Sequence, residues 1–417
     1  MRQIAILLFI LLMAGCTPQT QRVDIMADDE QAAAPAPTPE PTPAPYVTED
    51  IFVVEAEEAI NLRAKSSSSS ELLDTLKPGD RVRVLGYQSQ RFAKVRRLSD
   101  NLEGYAIAGY LKAEDYGAFG LTVVQPVALY SYEQMMADLA ALAGAYPGLC
   151  TLESAGTSAE GRELQVLLVG DAASRHHVFV QAAIHAREHM TALLTTAMAE
   201  RLLQQGGAAD VCFHILPMAN PDGVTIQQNE TIPAGIAGIY TNDGVKGLSV
   251  ETGALYLEQW QANANGVDLN RNFDAMWDKI NTTADASFMN YRGAAPGSEP
   301  ETKAMVAYTE RYAFDATLSY HATGSAIYWE FGQDTAVNAA SLSMAEAIKG
   351  VSAYELIGDK GGSYGGYKDW AMLQKKIPSV TIEVGTRPAP LMEAEFSNLW
   401  FRNRDVLQAV AAWVQGR

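Results

Sequence analysis

The chain has 417 residues, of which 48% are hydrophobic, and its formal net charge at pH 7 is -18. The length exceeds that of one ordinary domain, and the apolar content excludes general disorder. The acidic balance argues against a nucleic acid as a partner, because nucleic-acid binding depends on clustered Lys and Arg.

The first residues have the layout of an export signal. The apolar run Ile4–Met13 is too short to span a bilayer as a mature helix. The small residues before Cys16 resemble the processing site of bacterial lipoproteins, where the cysteine becomes lipidated. We expect residues 1–16 to be a lipoprotein-type signal peptide, and Cys16 to anchor an exported chain to a bacterial membrane, facing the cell wall. The alternative is a secreted protein with a coincidental cysteine.

A linker is expected next. Residues 17–49 are rich in Ala, Pro and Thr, and prolines occupy every second position from Pro35 to Pro45. Alternating proline favours the polyproline II conformation, which makes a semi-rigid spacer. Both a tether and a plain disordered linker place the folded part of the chain after this segment.

Short strands and turns are predicted for residues 50–114. The turn Lys77–Asp80 precedes an alternating segment, Arg81–Leu85, which is typical of a strand. The pieces "NLRA", "LKPGDRVRVLG" and "GYLK" resemble a bacterial SH3-like domain. The resemblance implies a small all-β barrel that binds cell-wall peptides; the alternative is a barrel that only packs on the rest of the chain.

From residue 128 to residue 417, helical and strand patterns alternate. A helix is predicted over Tyr132–Ala145, ended by Pro147 and Gly148, and a second over Thr191–Gln205. Buried strands are predicted at Val178–Ile184, Val211–Met218, Ala316–Tyr320 and Ser379–Val384. This alternation indicates an α/β sheet covered by helices.

The sharpest local motif is "HAREH", residues 185–189, at the carboxyl end of a predicted strand, where open α/β sheets place their ligand sites. In one interpretation His185 and Glu188 bind zinc with a distant histidine. In another, the inverted HxxEH motif, His185 and His189 bind the metal and Glu188 is the base. A third possibility is a set of surface polar residues at the start of a helix.

The other histidines favour the first interpretation. His321 ends a predicted strand, again at a carboxyl edge, and is the best third ligand. His214 lies in the middle of a strand, where a core role is expected, and His176 and His177 begin a strand and are expected to be exposed. The inverted motif gives His321 no task.

Residues 130–413 resemble the zinc carboxypeptidase family, the carboxypeptidase A-like fold. The pieces that carry the resemblance occur in the family's order: "EGREL", "IHAREH", "NPDGV", "GVDLNRNFD", "SYH", "GGYKDW" and "TIEVG". It implies a mixed sheet with helices on both faces and one Zn²⁺ per chain. By match the ligands are His185, Glu188 and His321, and His189 has a structural role.

The same resemblance assigns the remaining roles. Glu383 matches the general base that takes a proton from a zinc-activated water. Arg187 matches the arginine beside the zinc-binding glutamate, and Asn270 and Arg271 match the pair that grips the substrate carboxylate.

The chain departs from the digestive members of the family. No arginine occurs between Gly223 and Asn270, so Gln261 or the zinc ion alone would polarise the scissile carbonyl. Tyr364 is nearest to the family's mobile tyrosine, although out of register. Lys368 falls near the position that sets side-chain preference, and a cation there suggests a substrate with an extra carboxylate.

These departures resemble the bacterial γ-D-glutamyl-diaminopimelate peptidases. We therefore expect a membrane-tethered zinc peptidase that hydrolyses an amide bond in peptidoglycan stem peptides. The alternatives are a metallocarboxypeptidase that trims ordinary peptides and a non-catalytic wall-binding protein with a relic zinc site. Pairing of Cys150 with Cys212 stays open at this stage.

Overall fold

The computed structural model describes residues 51–417 except 88–91, 108–109, 115–118, 128, 250–251, 359–360, 362 and 392. The expected signal peptide, Cys16 and the expected linker lie outside the described residues. Within the described residues, no helix has the length and apolarity that a bilayer crossing requires.

The N-terminal part is a seven-stranded antiparallel sheet in the order β3-β2-β6-β5-β4-β1-β7. Alternate residues point into its core, for example Phe52 and Val54 on β1. Its strands are β1 (Ile51–Val54), β2 (Ile60–Arg63), β3 (Leu72–Leu76), β4 (Arg81–Tyr87), β5 (Phe92–Arg97), β6 (Glu103–Ile107) and β7 (Leu111–Ala113). The predicted small all-β unit is confirmed.

The C-terminal part contains an eight-stranded mixed sheet in the order β14-β13-β15-β12-β10-β11-β9-β8. The four central strands, β15, β12, β10 and β11, run parallel. The strands are β8 (Cys150–Thr157), β9 (Glu163–Val169), β10 (His176–Gln181), β11 (Val211–Leu216), β12 (Ala316–Ala322), β13 (Ala326–Tyr328), β14 (Glu355–Ile357) and β15 (Ser379–Val384). A parallel centre brings the carboxyl ends of β10, β12 and β15 to one edge.

Helices cover both faces of this sheet. On β10, Val178 and Val180 pack into one apolar cluster, while Phe179 between them packs into another. The described helices are α1 (Tyr132–Ala145), α2 (Met190–Gln204), α3 (Pro221–Gln227), α4 (Ala237–Lys246), α5 (Ala254–Glu258), α6 (Pro300–Arg311), α7 (Thr335–Ser352), α8 (Tyr367–Trp370), α9 (Phe396–Asn403) and α10 (Val406–Gln415). The predicted carboxypeptidase-like α/β class is therefore confirmed.

The two parts share an apolar core. Phe52 of β1 packs against Phe401 of α9 with ring centroids 5.8 Å apart, and Phe119 meets the same ring edge-to-face at 5.4 Å. At the rim, Lys112 pairs with Glu393 at 3.0 Å. The all-β unit is thus packed onto the helical layer.

Two local expectations need correction. The strand predicted to run to Ile184 ends at Gln181, because Ala183 has a positive φ of 46°, which takes the chain out of the extended conformation before His185. His177, expected to be exposed, is partly buried, because its ring stacks beside Tyr312 and bonds to His214. Cys150 and Cys212, whose pairing was open, are both buried free thiols.

Candidate metal centre and active site

The carboxyl ends of three neighbouring strands position the polar side chains of the site. His185 follows β10, His321 lies near the end of β12, and Glu383 lies near the end of β15. In the parallel pairing of β12 with β15, His321 stands directly opposite Glu383. Sheet register therefore brings together residues that are far apart in sequence.

His185, Glu188 and His321 form one compact cluster, with one ligand atom of each within 4.8 Å of the others. The Nδ1 atom of His185 lies 2.8 Å from one carboxylate oxygen of Glu188. The Nδ1 atom of His321 lies 3.1 Å from the other. A short 3₁₀ turn, Ala186–Glu188, brings Glu188 back toward His185.

Groups around the cluster fix its orientation. The backbone N–H of Ala322 donates to Glu188 at 3.1 Å. A buried carboxylate oxygen of Asp268 lies 3.3 Å from Nε2 of His185. With a metal ion in place, a carboxylate on Nε2 would hold the ring proton there and leave the lone pair on Nδ1, the atom that faces Glu188.

The charges of the cluster depend on one another. Burial alone would raise the pKa of Glu188, but the two histidines lower it to about 2. Burial alone would lower the pKa of His185, but Glu188 and Asp268 raise it to about 10. Without a cation, protons therefore stay on the imidazole side to balance two buried carboxylates.

The cluster fits a zinc ion. Two imidazoles and one carboxylate form the donor set of catalytic zinc sites, in which the fourth position is left for water or substrate. The Nδ1 atoms face a shared carboxylate, and the Nε2 atom of His321 is buried without a hydrogen-bond partner among the described residues. An ion between the Nδ1 atoms would replace the protons that now balance Glu188.

His189 lies apart from this cluster. It is 1% exposed, and the metal-capable group contains His321 rather than His189. Burial lowers the pKa of His189 to about 4, so the ring is neutral at pH 7. This geometry supports the interpretation in which His185 and Glu188 act with a distant histidine, against the inverted motif.

Glu383 lies beside the cluster, on the wall of a pocket of about 400 Å³. Burial, together with the charge of Glu188, raises the pKa of Glu383 to about 8. A bound divalent cation would oppose this rise, because positive charge favours a carboxylate. The carboxyl group thus lies beside the cluster, where it can take up a proton and give it back.

Arg187 is held by Gln261. When the Gln261 amide is oriented with its oxygen toward Arg187, that oxygen accepts from Nη2 at 2.6 Å and from Nε at 3.1 Å. The sequence left open whether Gln261 or the zinc ion alone takes the place of the missing arginine at the scissile carbonyl. In the structure the Gln261 side chain fixes the guanidinium of Arg187, and a contact of Gln261 with substrate stays a prediction.

The pocket beside Glu383 has charges of both signs. Its lining includes Asn270, Glu330, Lys368 and Asp369. The Lys368 ammonium donates to the backbone carbonyl of Glu330 at 2.9 Å and lies 3.0 Å from the Asp369 carboxylate. Burial raises the pKa of Asp369.

The other two expected substrate residues lie around this pocket. Arg271 donates to the carbonyl of Asn270 at 3.1 Å and does not line the pocket among the described residues. Tyr364 packs edge-to-face against Phe331, a lining residue, with centroids 6.4 Å apart. Substrate contacts of Arg271 and Tyr364 stay predictions.

Sequence reasoning missed two residues of the site and one contact. Asp268 orients His185, Asp369 pairs with Lys368, and Gln261, which the sequence did single out, holds Arg187. Asp268 and Asp369 belong to the quoted pieces "GVDLNRNFD" and "GGYKDW", so their position was visible. Their contacts were not visible. The pairing of Asp268 with His185 joins segments that only the fold brings together, and the contact between the neighbours Asp369 and Lys368 depends on their side-chain rotamers.

Family models match both parts of the chain. The model described as zinc carboxypeptidase matches residues 135–405, and the model described as bacterial SH3 domain matches residues 58–112. The first match covers more than half of the chain.

Curated relatives agree with these matches. The gamma-D-glutamyl-L-diamino acid endopeptidase 1 of Lysinibacillus sphaericus is 31% identical over 288 residues, which are 65% of this chain and 69% of that protein. Carboxypeptidase B of Astacus astacus is 28% identical over 181 residues, 42% of this chain and 54% of that protein. The chain thus spans about half the length of the second relative.

Solved structures resemble the fold. The carboxypeptidase A from Helicoverpa armigera has a TM-score of 0.52 at 20% identity and covers 88% of this chain and 99% of its own. Bovine thrombin-activatable fibrinolysis inhibitor has a TM-score of 0.54 at 20% identity, covering 71% of this chain and 99% of its own. At this identity the likeness concerns the fold alone.

Proposed function

The chain belongs to the zinc carboxypeptidase family, and on this premise we propose that it hydrolyses the amide bond between a γ-D-glutamyl residue and a diamino acid in peptidoglycan stem peptides. In this proposal one zinc ion is held by His185, Glu188 and His321, and Glu383 is the base. The name of the relative from Lysinibacillus sphaericus supports this bond as the substrate class.

The observation that carries the substrate proposal is the mixed charge of the pocket. An ammonium has three donors, and in the described residues the Lys368 ammonium uses two of them, on the Glu330 carbonyl and on Asp369. The remaining donor suits a ligand carboxylate. The carboxylates of Glu330 and Asp369 supply negative charge for a ligand ammonium. A diamino acid such as diaminopimelate carries both groups on one side chain.

The roles of the protein groups follow from their positions. When bound, zinc supplies a Lewis acid that polarises the scissile carbonyl and acidifies water. Glu383 accepts the proton of the attacking water on its carboxylate and passes it to the leaving amine. Arg187, fixed by Gln261, presents a guanidinium to the oxygen on which charge develops. Asn270, Arg271 and Tyr364 are proposed to position the substrate.

The remaining parts of the proposal concern location. We propose residues 1–16 as a signal peptide, 17–49 as a linker, 50–114 as the SH3-like domain and 128–417 as the catalytic domain. The bacterial SH3 match supports an extracellular, wall-facing role in which the all-β unit contacts the wall. Anchoring through lipid on Cys16 is proposed from the sequence alone.

Two substrates that differ by one carboxylate test the proposal. The purified enzyme is incubated with L-Ala-γ-D-Glu-diaminopimelate, with its lysine analogue and with an ordinary hippuryl peptide, and products are measured by mass spectrometry. In Lys368→Met, kcat/KM for the diaminopimelate peptide should fall about 10- to 100-fold, since a hydrogen bond to a charged group contributes about 1.5 to 3 kcal/mol. The lysine analogue should be nearly unaffected.

The matched control is Lys303→Met, an exposed lysine on α6, which should change neither rate. Equal losses for both glutamyl peptides would contradict the assigned role of Lys368. Hydrolysis of the hippuryl peptide alone would establish the ordinary metallocarboxypeptidase instead.

A further inference from the structure

A second cluster of metal-capable side chains lies at the opposite edge of the same sheet. His177 and Cys212 are each the second residue of their strand, β10 and β11, and His214 lies in the middle of β11. The sulfur of Cys212 and one ring nitrogen of each histidine all lie within 4.8 Å of one another. The active site lies past the carboxyl ends of these strands, so the cluster is separate from it.

Strand register places the three side chains on one face. In the parallel pairing of β10 with β11, His177 stands opposite Cys212, and Phe179 stands opposite His214. Residues two apart on a strand point to the same face. The three ligand atoms therefore converge without any change of backbone.

A hydrogen-bond chain fixes the orientation of His214. The Tyr308 hydroxyl donates to Glu153 at 3.3 Å, so its oxygen is available to accept from Nδ1–H of His214 at 2.8 Å. The proton of His214 is then on Nδ1, and the lone pair on Nε2 faces Nδ1 of His177 at 2.9 Å. Metal-ligating histidines have this arrangement, in which the second nitrogen donates to a fixed acceptor.

Cys212 and His214 are both uncharged at pH 7 in the metal-free protein. Burial first, then the charges of Glu153 and Asp171, raise the pKa of the Cys212 thiol to about 12. Burial, together with His177, lowers the pKa of His214 to about 3, so its ring is neutral. Tyr308 and Tyr312 both donate to Glu153, whose carboxylate also lies 3.7 Å from the guanidinium of Arg311.

We propose that His177, Cys212 and His214 bind a second transition-metal ion of the zinc type. Imidazole with thiolate is a donor set for such ions, with metal–nitrogen distances of about 2.0 to 2.1 Å and metal–sulfur distances of about 2.3 Å. Tetrahedral ligand atoms at those distances stand roughly 3.3 to 3.7 Å apart, so the two imidazole nitrogens, now 2.9 Å apart, would separate slightly to admit the ion.

The protons balance. As the sulfur–metal bond forms, the Cys212 thiol releases one proton to solvent. The ring proton of His177 moves from Nδ1 to Nε2, which frees the lone pair on Nδ1. His214 keeps its Nδ1 proton, which stays hydrogen-bonded to the Tyr308 hydroxyl oxygen. Binding therefore releases one proton and joins β10 to β11 at their amino ends.

Cobalt distinguishes the two centres. The active site offers only nitrogen and oxygen, so a sulfur-to-cobalt charge-transfer band in the near ultraviolet can come only from a cysteine. The full chain carrying Cys16→Ser, whose remaining thiols are Cys150 and Cys212, is stripped of metal and titrated with Co²⁺. We expect two cobalt ions per chain and a thiolate band that saturates at one of them.

Three variants assign the band. Cys212→Ser and His177→Asn should each remove it and lower the bound metal from two ions per chain to one, while peptidase turnover shows that both fold. Cys150→Ser, the other buried thiol, should keep both ions and the band. If the protein with both buried cysteines binds one cobalt ion per chain, shows no thiolate band and recovers turnover, the three side chains form a hydrogen-bond chain only, and the proposal is overturned. A band that survives Cys212→Ser would overturn it as well.

Discussion

Single residues decide the metal chemistry of the chain. Glu188 meets two histidines, one three positions before it and one 133 positions after it, through its two carboxylate oxygens. Asp268, 3.3 Å from the far nitrogen of His185, would hold the ring proton there when a metal takes Nδ1. The centre is therefore preorganised by contacts that exist before any ion is bound.

Substitution of two histidines tests this arrangement. His321→Ala removes one of three protein ligands, and we expect the zinc content of the purified protein to fall at least tenfold, measured by atomic emission. His189→Ala removes a buried ring outside the cluster, and zinc at the active site should be retained. Metal loss in His189→Ala with retention in His321→Ala would establish the inverted motif. Both variants are made in a Cys212→Ser background, so that the second proposed ion does not contribute to the measured zinc content.

At this scale the sequence predicted the donor atoms better than their supports. His185, Glu188 and His321 could be named because histidine is rare in the chain and each histidine could be weighed by its position on a strand. The contact of Gln261 with Arg187 was not predicted, because it depends on the orientation of the amide. A side-chain contact of this kind leaves no periodic signal in the sequence.

Elements bring these residues together through sheet register. The predicted strands Val211–Met218 and Ser379–Val384 and the helix Tyr132–Ala145 match the structure to within two residues. Strand order and the pairing of His321 with Glu383 could not be derived from alternation alone, since period-two patterns do not say which strands are neighbours.

Helix α2 also holds the segment that joins the two parts of the chain. Glu200, buried on α2, accepts from the backbone amides of Thr122 at 2.5 Å, Val123 at 3.0 Å and Val124 at 2.8 Å. A carboxylate is suited to this task, because each of its oxygens accepts more than one hydrogen bond.

Replacement of Glu200 should therefore destabilise the fold. Glu200→Gln puts an NH₂ group against backbone donors, and we expect the free energy of unfolding to fall by about 2 to 4 kcal/mol, measured from urea denaturation. The matched control, Glu346→Gln at an exposed position of α7, should change it by less than about 0.5 kcal/mol. Equal stability of the two variants would show that the contacts to Thr122–Val124 contribute nothing.

The whole molecule is stabilised by burial between its two parts. Phe52, Phe119 and Phe401 form a shared aromatic contact, and the turn Glu393–Glu395 packs at β7. The sequence left open whether the all-β unit binds the wall or only packs on the enzyme. The structure shows the packing, and wall binding stays a proposal.

A buried carboxyl group in this turn predicts a pH dependence of stability. Glu395 is 0% exposed, and burial raises its pKa from 4.5 to about 7. The folded state therefore keeps a proton that the unfolded state has lost, so Glu395 should reduce stability as pH rises from about 4.5 to 7. Above pH 7 the full cost, on the order of 3 kcal/mol, is present.

Glu395→Gln should remove this dependence. The variant should be more stable than the wild type at pH 8 and similar to it at pH 4, measured by thermal unfolding at each pH. Glu258→Gln, at an exposed position, should follow the wild type throughout. A variant less stable than the wild type at pH 8 would contradict a buried, protonated Glu395.

The most direct test of the central claim is the turnover of Glu383→Gln on a γ-D-glutamyl-diaminopimelyl peptide, measured at the same zinc content as the wild type. Glutamine has nearly the same shape but cannot take a proton, so kcat should fall by about 10²- to 10⁴-fold while zinc stays bound. A rate close to that of the wild type would contradict the account, because the carboxyl group beside His321 would then play no part in hydrolysis.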